Sequence, residues 1–427
     1  MANGIVIAAP RSGSGKTLVT LGLLAALRRR GLAIAAAKAG PDYIDRAILA
    51  RAAAAEAVNL DPWAMPPDRL RSIARDHSTG ADLLVVEGVM GLFDGAADGT
   101  GSTADLAAAL GAPVVLVVDA EKQAQSVAAL VMGFARFRAD VAIAGIVLNR
   151  VATTRHERML VAALAPLGIP VLGTLPRRDG LELPSRHLGL VMPAEIAGFE
   201  AVVAMAADLV ETYIDLNRLA ALSAPLVPPG AAPARLPPLG QRLAIARDDA
   251  FCFIYPHLLD DWRAAGAELS FFSPLADESP KMNSDAVFLP GGYPELHGQR
   301  LAAASGFLTG LRACAAGGAL VYGECGGYMV LGETLTDRAG VTHPMAGLLP
   351  VATDISRPIR RLGYRRLTHA GALPWPRHLL GHEFHYSTGG NAIHLFENSD
   401  SLGAKLPPMG AVLGRVMGSY AHVIDVA

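Results

Sequence analysis

The chain has 427 residues, 52% of them hydrophobic and 18% charged, with a formal net charge of −2. That length predicts two or three domains with sizeable cores, and the near-neutral balance excludes a general nucleic-acid binder. No apolar stretch reaches the ~20 residues that span a bilayer, and without a basic leader the expected compartment is the cytoplasm.

The first element is a short apolar strand, Ile5–Ala8, followed by Ala9-Pro10-Arg11-Ser12-Gly13-Ser14-Gly15-Lys16-Thr17. A strand, a glycine-rich turn and a helix starting near Lys16 form an anion cradle, because turn amides and the positive helix end face the ligand. Gly13, Ser14 and Gly15 shape the turn, Lys16 neutralises the β- and γ-phosphates, and the Thr17 hydroxyl ligates Mg²⁺. The pattern departs from a full P-loop in having Pro10 at the first glycine's place. An ion pair at ~4 Å in an effective dielectric near 20 contributes about 4 kcal/mol, so Lys16 carries much of the predicted ATP binding.

Further strands are predicted at Ala33–Ala37, Leu83–Glu87, Pro113–Asp119, Ala142–Leu148 and Val171–Gly173. Helical spacing fills the intervals, as at Thr17–Arg30 and Gln123–Arg138, and a last helical stretch runs over Ile196–Leu222. Near-continuous apolar strands alternating with helices predict a doubly wound parallel sheet over residues 1–222. Loops at the strand C-termini converge on one crevice. That gathers Lys38, Asp42 and Asp45 of Lys38-Ala39-Gly40-Pro41-Asp42-Tyr43-Ile44-Asp45 with Glu87. Glu87 and Asp42 join Thr17 as metal candidates, Lys38 joins the nucleotide set, and some of these acids serve the acceptor substrate. Asn149, ending the run Gly145–Leu148, is a candidate reader of adenine or an ordinary cap.

Residues 223–240 are dense in proline, which removes donors and fixes φ, so a semi-rigid linker is expected. Residues 241–427 resume strands at Arg242–Ala246, Glu268–Phe272, Ala286–Leu289 and Ala319–Tyr322, predicting a second α/β domain. Its chemistry centres on Tyr322-Gly323-Glu324-Cys325-Gly326-Gly327. Flanking glycines permit a sharp strand-to-helix elbow carrying a nucleophile, and a thiol at a helix N-terminus gains thiolate character from the dipole. The amides of Gly292 and Gly326 are the predicted oxyanion donors, each typically worth ~10²–10³ in rate. His422 is the candidate base, with His382 and His385 as rivals. The three cysteines form no CxxC pair, which argues against a structural zinc site. Arg357, Arg360, Arg361, Arg365 and Arg366, together with Arg186 and His187, are candidates to contact carboxylates.

The segments KAGPDYID, VVEGVMGLFDG, LPGGYPELH, YGECGGYMVLG, GHEFHYS and GSYAH occur in this order across the whole chain. Together they resemble the cobyrinic acid a,c-diamide synthases. The resemblance implies two doubly wound domains: a dethiobiotin-synthetase-like P-loop domain and a flavodoxin-like class I glutamine amidotransferase domain. It implies a carbon–nitrogen ligase that amidates the a and c acetates of hydrogenobyrinic or cobyrinic acid in cobalamin biosynthesis, using ATP, Mg²⁺ and glutamine. Compact length and Ala/Arg-rich character lean to the metal-free corrinoid. By the same resemblance Cys325 is the nucleophile and His422 its activator, and Tyr43, Asp45 and Asp94 fall in segments that serve the corrinoid. Where the family commonly has a second histidine two places after the first, and many amidotransferases a glutamate, this chain has Ile424. Ammonia is expected to pass between the domains by a sheltered path, and a homodimer is compatible with this reading. The rivals are a cobyric acid synthase, acting on other corrin side chains, and a ParA/MinD-like ATPase switch. The switch reading leaves Cys325 unexplained and wants a lysine where Arg11 stands.

Overall fold

The computed structural model describes residues 2–178, 185–186, 189–387 and 394–427. The chain divides into two compact units, Met1–Pro233 and Ala234–Ala427, with the boundary inside the proline-rich stretch.

In the first unit seven parallel strands are ordered β3-β2-β4-β1-β5-β6-β7. They are β1 (Asn3–Ala8), β2 (Ile34–Ala39), β3 (Ala57–Leu60), β4 (Leu83–Glu87), β5 (Val114–Asp119), β6 (Ile143–Val151) and β7 (Val171–Pro176). β1, β2, β4 and β5 are apolar along nearly their whole length because helices cover both faces of the sheet. Helix α1 (Lys16–Arg29) follows β1, and α2 (Tyr43–Ala53) follows β2. β1 lies between β4 and β5, where the strand order reverses. The loops after β1, β2 and β4 therefore open at one end of the sheet, the usual place for a ligand in open α/β sheets.

Three differences from the sequence reading have local causes. β3 is a four-residue edge strand whose Asn59 breaks the apolar run, so it carries no strand pattern of its own. The helix expected over Gln123–Arg138 starts only at Val127. The long helix expected over Ile196–Leu222 is two, Phe199–Tyr213 and Leu216–Ala221, because Asp215 caps the second and Ile214 bridges to Gly173. Ala224–Pro225, within the expected linker, pairs antiparallel with the start of β1.

In the second unit the strands Glu268–Phe272, Arg242–Ala246, Ala286–Leu289, Leu320–Glu324 and Val416–Ser419 lie parallel in that order, with Ala411–Leu413 antiparallel at the edge. Beside them is a five-stranded antiparallel sheet that the sequence reading missed. It is ordered Lys405–Met409, Phe396–Ser399, Arg361–Thr368, His378–His385, Ala421–Val426. Its last strand directly follows Val416–Ser419, so one turn links the two sheets. No helix among the described residues is long and apolar enough to cross a membrane.

Candidate functional site: a phosphate cradle and a thiol elbow

The phosphate loop turns through Gly13 and Gly15, whose φ values of 79° and 86° suit glycine. A side chain at Gly15 would also collide with Asn149, its Cβ lying 2.1 Å from Asn149 Nδ2. Asn149 Nδ2 donates to the Ser14 carbonyl at 2.9 Å, and its Oδ1 accepts the Arg150 amide. Arg150 donates to the Gly13 carbonyl and to Asp119, which also holds Arg11. The ends of β5 and β6 thus brace the loop from behind.

Glu87 is the hub. Its Oε1 accepts from Thr17 Oγ1 at 2.6 Å, Lys38 Nζ at 3.2 Å and Lys16 Nζ at 3.3 Å. Lys38 is fully buried and also pairs with Asp45 at 2.6 Å. Burial works to raise the Glu87 carboxyl, but Lys38, Lys16 and the Thr17 hydroxyl outweigh it and hold the group below its ordinary range. Burial works to lower Lys38, yet Asp45, Glu87 and Asp42 raise it overall. Burial, then the Lys38 charge, leaves Lys16 lowered despite Glu87. Burial and the Asp45 charge lift Asp42 to about 7. Its Oδ1 caps α2, accepting the amides of Ile44 and Asp45.

The remaining candidates of this unit lie less openly. Tyr43 is buried on α2. Asp94 Oδ2 accepts the Gly91 amide within its own turn, which is tied to the phosphate loop by the Leu92 amide and the Ala9 carbonyl, 2.8 Å apart. Arg186 sits in a two-residue strand whose side chains are not described, and His187 lies outside the described residues.

In the second unit Cys325 ends the strand Leu320–Glu324 and opens the helix Gly326–Leu331. Its φ of 46° and ψ of −105° form a strained elbow, a cost that persists where surroundings over-determine it. Gly326 and Gly292 adjoin: a Cβ at Gly326 would lie 3.1 Å from the Gly292 nitrogen. Gly291 separates nucleophile and base candidates. A Cβ there would lie 2.3 Å from His422 Cε1 and 3.3 Å from Cys325 Cβ, so only glycine lets both side chains close in.

Both groups are buried, Cys325 at 4% exposure and His422 at 2%. Burial, then the Glu295 charge, pushes the Cys325 thiol up. That upward push works against the thiolate expected from the helix dipole. Burial pushes His422 down to about 3, so the resting ring is neutral.

The histidine rivals lie on the neighbouring strand, where His382 pairs in register with His422. His385 Nε2 meets Glu383 at 2.8 Å, its Nδ1 meets Ser387, and its ring stacks on Tyr420. Arg365, expected among the substrate arginines, is buried and engaged by Glu383 at 2.7 Å. Arg357, Arg360, Arg361 and Arg366 are exposed. Glu295 and Glu324, both pushed up by burial (to about 7 and about 8), were not singled out from sequence.

A nucleotide cradle and a cysteine–histidine elbow in one chain define a glutamine-dependent, ATP-using ligase. Two family models match accordingly: a CobQ/CobB/MinD/ParA nucleotide binding domain over residues 5–191 and a CobB/CobQ-like glutamine amidotransferase domain over residues 242–425. The chain is 56% identical over 428 residues to the hydrogenobyrinate a,c-diamide synthase of Brucella abortus biovar 1 (strain 9-941), covering 99% of this chain and 98% of the relative. It is 52% identical over 426 residues to that of Rhizobium meliloti (strain 1021), covering 99% of both. With that of Rhodobacter capsulatus it shares 49% over 430 residues, covering 99% of this chain and 98% of the relative. The chain belongs to the hydrogenobyrinate a,c-diamide synthase family.

Proposed function

We propose that the chain converts the a and c carboxylates of hydrogenobyrinate to carboxamides. The carrying observation is full-length kinship with relatives of that name, joined to a phosphate cradle and a thiol elbow that divide the chemistry between them.

A carboxylate resists ammonia because its oxygen is a poor leaving group. In the first unit one substrate carboxylate oxygen attacks the γ-phosphorus of ATP, forming an acyl phosphate and releasing ADP. The loop amides from Gly13 to Thr17 and Lys16 hold the phosphates, exchanging the Lys16–Glu87 contact for one with phosphate. Lys38 assists from its buried position, and Asn149 and Arg150 keep the loop in shape. Glu87 Oε2 is buried and accepts no hydrogen bond, while the Thr17 hydroxyl donates to Oε1 of the same carboxylate. One carboxylate oxygen and one hydroxyl suit Mg²⁺, which takes its other ligands from phosphate and water. Thr17 and Glu87 would hold the ion, which offsets charge on the triphosphate when bound. Asp42 would reach it only indirectly, since its Oδ1 is engaged in capping.

In the second unit Cys325 Sγ attacks the glutamine amide carbon while its proton passes to His422. The amides of Gly292 and Gly326 take the charge on the developing oxyanion. His422 returns the proton to the leaving nitrogen, ammonia departs, and water hydrolyses the thioester to glutamate. Ammonia then displaces phosphate from the acyl phosphate. For the corrinoid, the exposed Arg361 is a carboxylate contact, and Asp45, Tyr43 and Asp94 shape the approach rather than present free polar groups.

The test is an assay of purified protein with ATP, glutamine and either hydrogenobyrinate or its cobalt-containing analogue, products being read by mass spectrometry. The expected product is a diamide from the metal-free corrinoid. Amides beyond two per ring would favour the cobyric acid synthase reading. No amide, with ATP hydrolysis indifferent to corrinoid, would favour the ATPase switch.

A further inference from the structure

A neutral imidazole can take a proton at one ring nitrogen only while the other keeps its own, so a base needs a partner that fixes its tautomer. The position two residues after His422 holds Ile424, an apolar buried side chain. Asp425 Oδ1 accepts the Val426 amide. Glu383 already receives Arg365 and His385.

Among the described residues, a further carboxylate stands against the ring. Glu324 pairs in register with Ser419, after which the chain turns at Tyr420 and returns as Ala421–Val426. Glu324 Oε1 accepts the amide of Val423, the residue after His422, and the Tyr322 hydroxyl, each at 3.1 Å. Those two bonds set the carboxyl plane and leave Oε2 beside the ring, 3.9 Å from His422 Nδ1. Both side chains are 3% exposed.

We propose that Glu324, the residue immediately before the nucleophile, positions His422 by accepting its Nδ1–H and facing the imidazolium formed when Nε2 takes the Cys325 proton. This rests on the reading of Cys325 and His422 as nucleophile and base. The separation exceeds a direct hydrogen bond, and catalytic contacts often tighten only once substrate is bound. The carboxylate form is the working one. The groups that bear on it are Tyr322 on its own strand, Cys325 on the turn and His422 on the returning strand. Glu383, His382 and His385 act on His422 from the neighbouring strand.

Glu324→Gln keeps an acceptor for Val423 and removes the charge. The glutaminase kcat of the full-length variant should fall about 10- to 100-fold, less than the ~10⁴ lost when a hydrogen-bonded triad acid is neutralised. KM for glutamine and ammonia-dependent amidation should stay unchanged. The unaltered enzyme should gain glutaminase activity as pH rises through about 8, where Glu324 loses its proton, and the variant should lack that limb. A kcat within twofold of the unaltered enzyme, or an unchanged pH limb, overturns the proposal. So does loss of ammonia-dependent amidation, which would mark a structural role. His422→Ala, measured alongside, separates the two readings: intact glutaminase there would sink the base assignment itself.

Discussion

Cys325→Ser is expected to abolish glutamine-dependent amidation and to leave ammonia-dependent amidation near its unaltered rate. The substitution removes one sulfur and little volume, so the elbow and its neighbours are kept. A serine hydroxyl is a far weaker nucleophile than a thiol at neutral pH. Burial already pushes the Cys325 thiol up, so on this reading a proton acceptor must act as sulfur attacks, the part proposed for His422. Oxygen in that place should cost at least ~10³-fold in glutaminase kcat, the scale on which members of a catalytic unit act. The measurement is amide formation with glutamine or ammonium salt as nitrogen source. Loss of both would contradict the division of chemistry between the units.

Lys16→Ala is expected to stop amidation from either nitrogen source while glutaminase activity persists. Losing one phosphate contact at an effective dielectric near 20 removes about 4 kcal/mol, roughly 10³-fold in rate. The rest of the cluster should hold, because Glu87 keeps Lys38 and Thr17 and Lys38 keeps Asp45. Any loss is therefore assigned to the phosphates rather than to unfolding, and a melting curve alongside the assay checks it. Normal ammonia-dependent turnover in this variant would count against the phosphate role.

What was legible beforehand follows chain locality. Gly13, Gly15 and Lys16 form their turn within a few residues, as do Gly323, Cys325 and Gly326, so spacing alone exposes both. The strands around them were legible because burial on two faces leaves an apolar run. Pairing across distance was not. Arg365 counts as a free cation until the antiparallel sheet sets Glu383 beside it. Glu324 reads only as part of the sharp turn before Cys325 until the turn at Tyr420 brings Val423, 99 positions away, onto its oxygen. Asn149 reads equally as an adenine contact or an ordinary cap, and only the fold shows both ends of its amide engaged at the back of the loop. The Cys325 thiol shows the same limit, since the burial that raises it belongs to the packed unit and not to the motif.

Isotope tracing tests the central claim most directly. Corrinoid carrying heavy oxygen in its carboxylates, and glutamine carrying heavy nitrogen in its side-chain amide, are turned over together with ATP. Mass spectrometry then follows both labels. The account predicts one heavy nitrogen in each new amide and, for each, one heavy oxygen delivered to inorganic phosphate. Phosphate free of that oxygen while amides accumulate would contradict it.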